Sequence, residues 1–385
     1  MKAQEATTTK SENVIPSESI TLPSPTVIES VKDQAVLKAL PRFALLVDNL
    51  SCGLCHVKVL GDVVSTKTVA AIHQASEATI MGDWLVAGKW EVNKSGAKVQ
   101  VTGDKKEDYS GPEVPTGFVS IDMTAAKAKA SGSLKGFGSL GPVNIQKTHR
   151  GNIVLVGTTA NPIQINGDVM VEGDVIISGP YQGVGTLYAS GSVYIPSDLI
   201  ATHSVFPYPD TKAEATAMAD IAVKDAKLDG LGIAAAKNIY LGNIEFFTTD
   251  PNRSAGLGIA SLDFKEMYKW YTQAAYQALY TVAAACSFND AGKGSLNVVD
   301  AFLHTPGTIT GVIVNTSYSI RGGIFAGVFN VVNGNRVCDK TSKISPIHGR
   351  NMSNSYVEYD WRLATGKFPI LERLGESLIS NSARP

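Results

Sequence analysis

Ile163-Gln-Ile-Asn-Gly-Asp-Val-Met-Val-Glu-Gly-Asp-Val-Ile-Ile177 alternates apolar and polar residues and breaks at Gly167 and Gly173. Side chains on a strand point to opposite faces in turn, so Val169, Val171, Val175 and Ile177 are expected on one face. Asp168, Met170, Asp174 and Ile176 fall on the other, which is therefore mixed. Gly179, Gly183, Gly185 and Gly191 continue the punctuation. Strands this short, with glycine at the corners, suit stacked rungs better than long hairpins.

Upstream, Gly-Asp recurs at Gly61-Asp62, Gly82-Asp83 and Gly103-Asp104, each pair 21 residues after the last. Each follows a β-prone run: Val57–Leu60, Ala78–Met81 and Lys98–Thr102. A repeat of about twenty residues is a plausible length for one coil of a parallel β-solenoid. The expected fold is mainly β, a parallel β-solenoid with a helical insertion and a C-terminal β region. Residues 1–40, rich in Ser, Thr, Glu and Pro, read as a disordered arm, and 41–205 as the solenoid. Residues 206–290 read as the helical insertion. It carries an Ala-rich helix over Asp210–Leu228 and a second from about Phe264 to Ala285, where Asp263 and Glu266 form a capping box. In 291–385 β character returns, and the alternating Tyr356–Leu363 is expected to cap an open end.

Gln164–Gly179 followed by Gly183-Val-Gly-Thr-Leu-Tyr-Ala-Ser-Gly-Ser-Val-Tyr-Ile-Pro196 resembles bacterial β-solenoid surface proteins. It is also similar to bactofilin-type polymer-forming proteins and to the solenoid-bearing, PilX-like components associated with pilus assembly. The resemblance covers about a third of the chain. It implies a structural or adhesive role at a bacterial surface or envelope, contact with protein partners or self-association, and no catalysis.

Composition narrows the alternatives. Lys and Arg number 34 against 35 Asp and Glu, which leaves no basic field for nucleic acid. The apolar stretch Val36–Val47 is interrupted by Lys38, Pro41 and Arg42 and falls short of the ~20 residues that cross a bilayer. Residues 1–30 lack the apolar run of a signal peptide, so an extracytoplasmic location is expected only if a leader has been removed.

Cys52-Gly-Leu-Cys55-His56 is the sharpest chemical motif. Its spacing matches c-type haem attachment, in which two thiols add to the haem vinyl groups and His56 ligates the iron. A single-haem electron-transfer module using Cys52, Cys55 and His56 is therefore one alternative function. A short-loop disulfide, half of a zinc site and a redox dithiol compete for the same residues. His73 is the nearest candidate for a second axial ligand, and Cys286 and Cys338 could pair or stay free. A carbohydrate-active β-helix enzyme is the other alternative, with Asp62, Asp83 and Asp104 aligned on one face. Turn chemistry already accounts for Gly-Asp at a corner, however, because Asp favours local backbone bonds and Gly tolerates positive φ.

Overall fold

The protein is described by a computed structural model. It describes residues 43–50, 57–66, 69–70, 77–91, 98–109, 121–138, 141–196, 198–203, 229–242, 298–313, 318–333, 355–360 and 362. The expected helices at 210–228 and 264–285 lie outside these residues.

The fold is mainly β. An N-terminal group holds β1 (Phe43–Leu50), β2 (Val57–Leu60), β3 (Asp62–Ser65), β4 (Val69–Ala70), β5 (Glu77–Met81), β6 (Trp84–Val86), β7 (Trp90–Glu91), β8 (Lys98–Val101) and β9 (Lys105–Lys106). After helix α1 (Met123–Lys129) come β10 (Ser133–Gly138), β11 (Gly141–Gln146), β12 (Thr148–Arg150), β13 (Ile153–Val156), β14 (Ile163–Asn166) and β15 (Val169–Glu172). The long, bent β16 (Val175–Ala189) leads to β17 (Val193–Ile195), β18 (Leu199–Ala201), β19 (Gly230–Ala235) and β20 (Ile239–Gly242). The last three are β21 (Val298–Ile313), β22 (Ser319–Asn333) and β23 (Ser355–Tyr359).

Almost every pairing is parallel. In the N-terminal group Lys58 faces Thr79, Val63 faces Trp84, and Glu77 faces Lys98. The Gly-Asp period is thus the stacking period. One column of register partners runs Lys105, Trp84, Val63, Leu45, Ile324, Leu303, Ile233, Leu187, Val169. All of these except Lys105 are at most 1% exposed and belong to one continuous apolar core. Each rung alone would leave one face wet; stacking buries it against the next, at about 25 cal/mol per Å² of apolar surface.

The spatial order departs from the chain order. Residues 43–106 do not stack on 133–201: β1 pairs with β22 and β2 with β23, so the N-terminal strands continue the ladder beyond the C-terminal ones. Two expectations change. Ser355–Tyr359 has partners on both edges, β22 and β2, and lies inside the ladder instead of capping an end. Within the expected helical insertion, β19 and β20 are strands, in register with β16 and β17 on one side and β21 on the other. At one end an antiparallel hairpin, β10–β11, lies along β14. At the other, β8 and β9 end in the exposed run Thr102–Asp108.

The expected faces of 163–177 are largely found. Val169, Val171, Val175 and Ile177 are fully buried in the core. Met170 on the other face is buried too, since α1 lays Ala126 and Ala130 over Met170, Tyr188 and Ala234. Asp122 caps that helix, accepting from the N–H groups of Thr124 and Ala125 at 3.0 and 2.9 Å. Glycine is required where rungs approach closely: a Cβ on Gly82 would stand 2.6 Å from the Gly61 carbonyl oxygen. At Gly183, φ is +96° and a Cβ would meet the Ile165 oxygen at 2.0 Å.

Candidate functional site

Three groups of polar side chains stand out. The first is a pair of corner ladders. The Asp83 N–H donates to Asp62 Oδ1 at 2.9 Å and the Asp104 N–H to Asp83 Oδ1 at 2.8 Å, each bond linking one rung to the next. Across the molecule the Asp174 N–H donates to Asn152 Oδ1 at 2.8 Å and the Ser192 N–H to Asp174 Oδ1 at 2.7 Å. The Thr308 N–H donates in the same way to Asn238 Oδ1 at 2.8 Å. A corner breaks the backbone ladder, and the short Asx side chain replaces the missing acceptor. Of the three aspartates weighed as a catalytic row, Asp62 and Asp83 spend a carboxylate oxygen on the neighbouring backbone. Asp104, on the last rung, pairs with Lys106 Nζ at 2.9 Å, which raises the lysine's pKa.

The second group is a buried charge cluster that sequence reasoning missed. Asp300, Arg321 and Glu358 are register neighbours on β21, β22 and β23, each no more than 5% exposed. Arg321 Nη2 meets Asp300 Oδ2 at 3.0 Å. Beside them Arg362 grips Asp360, with Nε 2.9 Å from both carboxylate oxygens, and its Nη1 donates to the Asp229 carbonyl at 2.8 Å. Burial pushes the Asp360 carboxyl up, but the Arg362 charge and hydrogen bonds outweigh it, so its pKa is lowered. The Tyr181 hydroxyl donates to the Asp300 carbonyl at 2.5 Å; burial, then the Asp300 charge, drives its pKa well up, so it stays protonated. Tyr181, Asp300, Arg321, Asp360 and Arg362 line a cavity of about 10 Å³, room for about one water molecule. Asp300 Oδ1 is buried there without a hydrogen-bond partner. The space is too small for an organic substrate; among its lining residues Asp300 and Asp360 balance Arg321 and Arg362, and Glu358 adds a third buried carboxylate beside them. A charged residue at an otherwise apolar strand position, as in Val299-Asp300-Ala301 and Ile320-Arg321-Gly322, was the signal available in the sequence.

The third group ties together Gly183, residues 198–203, Asp229 and the start of β21. Asp229 is 2% exposed and accepts from the Gly183 N–H, the Thr202 hydroxyl and the His203 N–H at 2.7, 2.9 and 2.7 Å. The half-exposed His203 ring adds a contact at 3.1 Å. Asp198 accepts from the Val298 N–H at 3.0 Å and Asp300 from the Ala201 N–H at 3.2 Å. These bonds close the ends of 204–228 and tie 198–201 to 298–300.

Cys52, Cys55 and His56 lie between β1 and β2, outside the described residues, as do His73, Cys286 and Cys338. Among the described residues no three His, Cys, Asp or Glu side chains group to hold a metal ion, and no helix is long and apolar enough to cross a membrane.

No family model and no curated protein matches the chain. Among solved structures, the crystal structure of the competence-associated pilin ComZ from Thermus thermophilus is similar at 10% identity and a TM-score of 0.36. The match covers 82% of this chain and 69% of the pilin. A likeness this slight settles neither fold nor function.

Proposed function

We propose that the protein is a non-catalytic β-solenoid scaffold of a bacterial surface or envelope, working through its faces and through contact with other protein chains. The observation that carries this is the use made of its polar residues. Asp62 and Asp83 bond the backbone of the next rung, Asp300 and Arg321 pair across strands, and Asp360 and Arg362 pair two residues apart. An active site keeps reactive groups aimed at a space where substrate can sit. The corner aspartates instead serve the neighbouring backbone, and the buried charges surround a space the size of one water. The resemblance of 164–196 to solenoid surface proteins supports the envelope setting.

Surface labelling of intact cells with a membrane-impermeant amine reagent tests the setting: labelling before lysis is expected, and labelling only after lysis overturns it. A visible spectrum of denatured, washed protein, produced by export with haem maturation present, tests the chemistry. Colourless protein is expected; a haem band that survives denaturation would make Cys52, Cys55 and His56 an electron-transfer centre instead.

A further inference from the structure

We propose that the outer face of β11, β10, β14 and β16, at one end of the ladder, binds an extended acidic polysaccharide whose sugars carry carboxylates. This rests on the scaffold reading, in which the protein works through its faces, and gives one face a ligand class.

Register builds the face. Lys135 on β10 lies between Asn144 on β11 and Gln164 on β14, and Gln164 pairs in turn with Gln182 on β16. Register partners point to the same side of a sheet. Leu134 and Ile145, the chain neighbours of Lys135 and Asn144, are buried in the core, so Lys135 and Asn144 point outward and are exposed. The row ends at His203: Gln182 Nε2 lies 3.4 Å from both nitrogens of its ring. The buried Asp229 steadies that ring from behind, 3.1 Å from Nδ1. One pleat along β10 from Lys135, ~7 Å away, Phe137 is 40% exposed.

The chemistry of this row selects the ligand. A carboxamide offers donors and acceptors together, as sugar hydroxyls do, so the two are mutually complementary. From Asn144 to Gln182 the row covers three strand steps, ~14 Å at ~4.8 Å each, and one step is close to the length of a pyranose ring. The open ring of Phe137 offers a face on which the C–H side of a sugar can stack. Charge decides between neutral and acidic chains. Between Asp122 and Asp168 the sequence holds no Asp or Glu, while Lys127, Lys129, Lys135, Lys147 and Arg150 all fall there. Glu172 pairs with Lys127 and Arg150, and this end still carries excess positive charge in a chain whose net charge is −1. The row itself holds no carboxylate, so it lacks the pair of acids that would cut a glycosidic bond. Nucleic acid fits less well, because amides outnumber cations in the row and phosphate tracking needs several cations.

The test is titration calorimetry of purified full-length protein with polygalacturonate, and with dextran as the neutral comparison. Binding is expected for polygalacturonate alone, weakening as salt rises. Phe137→Ala should weaken it roughly three- to tenfold. Lys135→Gln should weaken it roughly two- to fivefold at low salt and flatten the salt dependence. Lys105→Gln, at the far end of the ladder, should bind like the wild type. Both Phe137 and Lys135 are exposed, so unchanged melting curves are expected and separate a lost contact from a lost fold. Absence of binding, equal binding of dextran, or an equal loss in Lys105→Gln overturns the proposal. Tighter binding of a single-stranded DNA oligonucleotide through the same residues overturns it too. None of these outcomes touches the envelope setting, which the cell-surface labelling tests by itself.

Discussion

Replacing Arg362 by Met removes the cation from the best-bonded ion pair in the structure and leaves Asp360 buried with its charge. Arg362 contributes the fork to Asp360 and the bond to the Asp229 carbonyl. Both residues keep less than a tenth of their surface exposed, so water cannot take over. Breaking a buried pair from one side costs roughly 3–5 kcal/mol, a large share of the 5–15 kcal/mol that holds a typical domain together. With a denaturant slope of ~2–3 kcal/mol per molar, the urea midpoint should fall by about 1–2.5 M. The double variant Asp360→Asn/Arg362→Met removes the stranded charge and should recover much of the loss. Acid provides a second reading. The wild-type Asp360 pKa lies below the ordinary carboxylate value, so its contribution is present above that value and is lost as pH falls through the lowered one. In Arg362→Met burial is no longer offset by that cation, the pKa moves up, and acidification should narrow the gap to wild type. A midpoint shift below about 0.3 M, or a gap that does not change between pH 7 and pH 4, would refute this account of the cluster.

Gly82→Ala should cost about 1–3 kcal/mol by thermal melting, because its Cβ has no room beside the Gly61 carbonyl. Gly136→Ala, whose Cβ would meet nothing closer than 3.6 Å, should be neutral or stabilising by up to ~1 kcal/mol. Asp83→Ala removes the acceptor for the Asp104 N–H; hydrogen exchange should show faster exchange at Asp104, with ~0.5–1.5 kcal/mol lost. Leu303→Ala, in the middle of the fully buried column, should cost about 2–5 kcal/mol in urea unfolding.

What could be read from the amino acids was what acts locally. The 21-residue Gly-Asp spacing matches the strand-pairing period, because aspartate serves the backbone one repeat away and glycine is needed where successive strands touch. Alternation gave the inward face of 163–177. The rung order could not be read: Leu45 and Ile324 are ordinary apolar strand residues, and nothing near either marks the other as its partner. Tyr356–Leu363 reads as an end cap because its large side chains suit a lid, whereas Val357 lies fully buried between two strands. The charge cluster was hidden for a related reason. Asp300, Arg321 and Glu358 look like solvated residues until the register sets them together.

The aspartate staples bear on how this chain can change over time. Asp229 gathers Thr202 and His203, and Asp198 and Asp300 hold the start of β21 to residues 198–201. The departure and return points of 204–228 are thereby fixed by bonds that do not depend on what lies between them. Doubling the number of residues between two ends that are already held costs only about 0.6 kcal/mol in loop closure. Such a rung can gain, lose or replace the intervening sequence while its strands keep their register. Variation between lineages is therefore expected to gather between residues 204 and 228, with Asp229 retained beside it.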